Sequence, residues 1–180
     1  MIEKIVKNKS VVAIILSILA MALVAPDIIN TFNQSINDSW PTLVLYGTVV
    51  ASAVFILILG LTKKEFGIKS LLLPVIFLYS GTIINLVRNI IEFNTWSSVY
   101  YLALYSALLI VYILLMLNNN KTLKYVLYVL FLIVLCMSLL AVFNGSQTGL
   151  ARFVLGLIII GNVYLELDYK KKEEENNEEN

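Results

Sequence analysis

Asn85, Arg88, Asn89 and Glu92 stand at offsets of three, four and seven along one apolar segment, residues 70–95. That spacing puts all four on a single helical face. The chemistry open to such a set is recognition of an anion. A guanidinium offers planar, fixed donors, and the amides beside it add neutral ones. Glu92 lies four residues beyond Arg88, within reach of an ion pair that would partly neutralise it. The only other arginine is Arg152, near the same end of a later apolar run. Glu92 is the local first choice of Arg88, and a cross-helix pairing of Arg152 with Glu92 is the alternative. Tyr105 completes the candidate ligand-binding set. With Tyr101, Leu108 and Tyr112 it recurs on one face of its own run, either as an aromatic pocket wall or as packing and interfacial anchoring.

Each of these residues has a plainer reading. Arg88 is eighteen residues from Ser70, ~27 Å along a helix. It therefore falls near the outer boundary of a span, where an arginine can snorkel to headgroups or water. Asn162 lies ~15 Å inward from Arg152 and is expected to hydrogen-bond between helices. Glu166 and Asp168, beside the 170–172 lysines, are expected to be solvated. Pro74 and the Ser80-Gly81-Thr82 cluster mark weak points in the 70–91 span, consistent with a kink or with a helix broken beside a site. Ala13, Ser17 and Ala25 in the first run let backbones approach closely, as do Gly47 and Ala51 with Thr48 and Ser52 in the second. These faces fit packing inside one bundle or against another subunit.

Much chemistry is missing. The sequence has no histidine, which removes the commonest general base, proton shuttle and metal ligand. It has no HExxH, CxxC, GxSxG, Walker loop or selectivity-filter glycines. No acidic residue falls near the middle of a span, where proton-coupled transporters usually need one. No catalytic residue, metal ligand or cofactor is expected.

The elements that must position these residues are membrane spans. Of 180 residues, 59% are hydrophobic and only 14% charged, against about 25% charged in soluble domains. A chain this size cannot hide that much apolar surface from water, so lipid is its expected solvent. The lone cysteine, Cys136, permits no intrachain disulfide. Six apolar runs, 10–29, 41–61, 70–91, 98–117, 125–143 and 150–167, each approach the roughly 20 residues that cross a bilayer. Pro41 suits the first turn of the second. The first run is expected to be retained rather than cleaved as a signal. The sixth is the weakest, because it holds Arg152, Gly156, Gly161 and Asn162. The links are short except for 30–40. Trp96 suits an interfacial anchor, and 144–149, NGSQTG, reads as a turn.

The expected architecture is an all-α, six-helix polytopic membrane bundle over residues 1–169, with a disordered charged tail over 170–180. All eleven lysines fall in the head, in the links after the second and fourth spans, and in the tail. With six spans these lie on one side, and the positive-inside rule makes that side, and both termini, cytoplasmic. The expected location is the cell membrane, multi-pass, of a bacterium with an AT-rich genome, given the abundance of Lys, Asn and Ile. The expected partners are the lipid bilayer and another membrane subunit or a second copy, with no nucleic acid. The expected role is non-enzymatic: a small transporter or a ligand- or lipid-binding membrane subunit. One alternative is an accessory or immunity protein that acts by binding a partner or a membrane-active toxin. A weaker one is an intramembrane lipid-modifying enzyme.

Overall fold

A computed structural model describes the backbone of residues 9–32, 36–62, 67–118 and 120–178. The chain is all-α over these residues. Its helices are α1 (Lys9–Phe32), α2 (Ile36–Leu61), α3 (Leu72–Phe93), α4 (Ser97–Leu117), α5 (Lys121–Phe143) and α6 (Gln147–Glu178). All six are long and apolar enough to cross a bilayer. Each packs on its neighbours in sequence, and α6 closes the ring by packing on α1 and touching α2. The links are short, so consecutive helices run in opposite directions.

Local chemistry sets the turns. Asn94 ends α3 in the left-handed conformation, φ 49°, which asparagine tolerates better than most residues. The Asn89 carbonyl accepts from the Asn94 N–H and from the Thr95 hydroxyl, the latter at 2.8 Å. The chain thus re-enters a helix at Ser97. At the other end, Asn120 caps α5 by accepting from the Thr122 N–H at 2.9 Å. Between α5 and α6, Gly145 takes φ 81°, which a glycine adopts without steric cost. Ser146 Oγ then accepts from the Gly149 N–H at 3.0 Å.

Three boundaries differ from expectation. α1 continues through Pro26 to Phe32, and α2 begins at Ile36, so the long 30–40 link shrinks to 33–35, which lie outside the described residues. Pro41 consequently sits in the second turn of α2 rather than the first. Pro74 produces no break. It is the third residue of α3, where the backbone N–H has no intrahelical acceptor to lose. Finally, α6 runs from Gln147 to Glu178, longer at both ends than the 150–167 span. Lysine and glutamate are good helix formers, and elongating an existing helix avoids the cost of nucleation.

The packed interior is aromatic on one side of the ring and aliphatic on the other. The Tyr79 ring of α3 lies tilted, 5.5 Å from that of Tyr105 of α4 and 6.2 Å from that of Phe131 of α5. Tyr112 meets Phe131 edge-on and donates its hydroxyl to the Ile68 carbonyl at 2.6 Å. Leu155, Ile159 and Val163 of α6 are fully buried. In the apolar window of α6, 61% of residues are buried, against 22–33% in the other five helices. The segment that read as the weakest span is the one most shielded from lipid, which is why it tolerates an arginine, an asparagine and three glycines. The outward faces of the other helices present Ile15, Leu19, Val54, Ile58, Ile110 and Ile133. Exposed Trp40, Phe93, Trp96, Tyr100 and Phe143 ring one end, the arrangement expected at a membrane–water boundary.

Candidate functional site

The site is built around Arg152. Its helix begins just after the Gly145 turn, and Gly149 brings α6 against α5. A Cβ at Gly149 would lie 2.9 Å from the Ala141 Cβ and 3.3 Å from the Ser138 carbonyl oxygen. One turn on, Arg152 projects into the bundle. Leu45 of α2, Thr82 and Asn85 of α3 and Tyr105 of α4 line the same space as its side chain. Three other helices therefore face this one cation. Its Nε is shielded from solvent and has no hydrogen-bond partner, and the Thr82 hydroxyl on α3 is in the same position. Among the described residues no carboxylate pairs with Arg152.

Arg152 and Thr82 both line a cavity of about 330 Å³. Asn85 on α3, Tyr105 on α4 and Ser138 on α5 contribute further polar groups; Leu45, Leu86 and Met137 contribute apolar ones. Thr82, Tyr105 and Ser138 are buried, whereas Tyr101, Leu140 and Asn144 are exposed. The latter three form the rim, on the end ringed by aromatic side chains. This volume is at the small end of the range for ligand pockets, and so is a mainly apolar lining with a few convergent polar groups.

Of the residues singled out in the sequence, the fold brings Asn85, Tyr105 and Arg152 together. It leaves Arg88, Asn89 and Glu92 outside the cavity. Arg88 Nε donates to Glu92 Oε2 at 2.6 Å, with Glu92 45% exposed, and its guanidinium lies 5.8 Å from the Phe93 ring centroid. The reason is reach. Every residue from Ile91 to Ser97 is exposed, so the last turn of α3 extends past the packed part of the bundle. Glu92 thus takes its expected local partner, and the alternative Arg152–Glu92 pairing is not formed. An exposed pair of this kind contributes about 0–1 kcal/mol, less with salt screening. Tyr101 fits the aromatic-wall reading of its helix face, whereas Thr82, Ser138 and Asn144 are not among the candidate ligand-binding residues. Thr82 lies three residues before Asn85 on the same face, the one signal that spacing offered for it.

Asn162 of α6 is buried; its Nδ2 donates to the Ile158 carbonyl at 2.7 Å, while its Oδ1 has no partner. It bonds within its own helix rather than across to another. The small residues of α2 divide in the same way. Thr48 meets Gly81 of α3, and Ser52 is fully buried, whereas nothing lies within 4 Å of a Cβ added to Gly47. Compared with known proteins, the chain matches no family model, none of the curated proteins and no solved structure.

Proposed function

We propose that this chain is a non-enzymatic integral membrane protein that binds a small ligand inside its helix bundle, as a small transporter or a ligand-binding membrane subunit. The observation that carries this reading is the cavity at Arg152. A cation with a shielded, unpartnered Nε and, among the described residues, no carboxylate partner is expensive to keep in a membrane, which makes it a first candidate for a functional site. The proposed orientation places both termini in the cytoplasm, because Lys9, Lys69, Lys121 and Lys124 gather at one end of the alternating helices and 170–172 follow from α6. The cavity rim then faces outward. A cysteine at position 121 should resist a membrane-impermeant reagent in intact cells, and labelling from outside would overturn the orientation.

Native mass spectrometry of the gently solubilised protein tests the function. A small molecule bound in stoichiometric amount should be present and should be lost when Asn85→Trp fills the cavity. A protein that carries nothing small in either form, but retains a second protein, would favour the accessory or immunity reading. That second reading has one observation of its own, the open, exposed face at Gly47 on α2, where a partner helix can approach closely.

A further inference from the structure

The geometry points to an oxyanion site: the Arg152 cavity takes the singly charged carboxylate or phosphodiester head of a ligand with an apolar body. This deepens the ligand-binding reading and rests on it. Three observations converge. The first is charge. Arg152 is the cation of the cavity, and among the described residues no carboxylate balances it. One fixed positive charge in a low-dielectric site is matched by one negative charge, which favours a monoanion over a dianion.

The second observation is the donor set. The guanidinium Nε and the Thr82 hydroxyl are both shielded and unpartnered, and Asn85 and Tyr105, each with a polar group, line the same space as these two residues. A planar oxyanion can accept from a guanidinium fork and from neutral donors together. A neutral ligand such as an alcohol leaves the arginine uncompensated. The third is shape. The lining also includes Leu45, Leu86, Met137 and Ala141, with Ser138 as a further polar residue, and the rim includes the exposed Leu140. A head held at Arg152 therefore leaves its body against apolar side chains, with the remainder passing the rim.

Two sources supply this chemistry: a membrane phospholipid, and a free organic acid with an apolar body, fatty acids included. The test uses the full chain in a neutral maltoside detergent. Its thermal midpoint is followed against octanoate, octanol and inorganic phosphate, and against mixed micelles containing phosphatidylglycerol. Octanoate or phosphatidylglycerol should raise the midpoint by mass action, and octanol should not. A response to octanoate alone identifies a free acid; a response to phosphatidylglycerol, with the lipid retained in native mass spectra, identifies a membrane phospholipid. Arg152→Gln should weaken the responding anion at least about tenfold, the loss of a charge-assisted hydrogen bond, while Arg152→Lys should retain part of it. Thr82→Val, which keeps the charge, should weaken binding less than Arg152→Gln. Equal response to octanol and octanoate, or an octanoate response unchanged in Arg152→Gln, would overturn the oxyanion assignment. A neutral molecule retained by both the native protein and Arg152→Gln, yet lost in Asn85→Trp, would end this inference and leave the ligand-binding function standing. If no probe shifts the midpoint and nothing small is retained, both fall.

Discussion

Replacing Arg152 with methionine should raise the thermal midpoint of the ligand-free protein in detergent while abolishing its response to anions. The two effects have one cause. In the empty site the guanidinium is partly desolvated, its Nε has no partner, and no carboxylate among the described residues offsets its charge. An arginine at the centre of a membrane helix costs about 2.5–3.5 kcal/mol on insertion scales. Arg152 is nearer the end of α6 and shares its cavity with Tyr105, so the relief should be smaller, about 1–2 kcal/mol. For a chain of this size that is a rise of roughly 2–8 °C. Methionine is unbranched and adaptable enough to follow the path of the arginine stem without overpacking. A midpoint that falls by a similar amount would show that Arg152 braces α6 against α2, α3 and α4, and that the cavity is incidental to its role.

Gly81→Ala should destabilise the bundle, whereas Gly47→Ala should not, although both glycines lie among small residues in apolar helices. A Cβ at Gly81 would collide with the Thr48 hydroxyl and lie 3.0 Å from the Leu45 Cα. The hydroxyl cannot swing aside freely, because it donates to the Leu45 carbonyl at 2.9 Å, and the Leu45 backbone has no rotamer to change. α2 and α3 must therefore separate, and overpacking of this kind costs about 1–3 kcal/mol. Leu45 and Thr82 also line the cavity, so the same variant should weaken ligand binding. Gly47 has nothing within 4 Å. Alanine there should be neutral or should stabilise by up to about 1 kcal/mol through helix propensity. The two thermal midpoints, compared with the parent, decide the point. Equal losses would show that Gly47 packs against a neighbour in the solubilised protein, a result that would strengthen the partner-binding reading.

The contrast between these two glycines shows where sequence reading stops. Gly47 and Ala51 form a small-xxx-small pattern, and the pattern signals close packing. The fold instead turns the adjacent Thr48–Ser52 stripe toward the bundle and leaves Gly47 outside. Stripes 100° apart on one helix carry equally small residues, and only the neighbouring helix distinguishes them. The arginines behave in the same way. Arg88 sits in the more conspicuous polar stripe, yet its partner is four residues away on its own helix. Arg152, isolated in a glycine-rich run, is the one that reaches other helices.

What the sequence determined by itself was local and compositional. Apolar runs of about 20 residues, broken by short polar links, specify six membrane-length helices, because unpaired backbone groups are too costly in lipid for any other open structure. Asn94, Asn120 and Gly145 specify turns through their own backbone preferences. Asn85, Tyr105 and Arg152 were recognisable as polar groups needing partners. The tertiary structure alone decided which of them meet. Arg152 lies 47 residues from Tyr105 and 67 from Asn85 in the chain, and their convergence depends on the ring order of the helices and on close approach at Gly81 and Gly149. It also decided that α6 is the shielded helix. Lipid-facing and bundle-facing surfaces are both apolar, so hydropathy does not tell a helix that faces lipid from one that is buried by its neighbours.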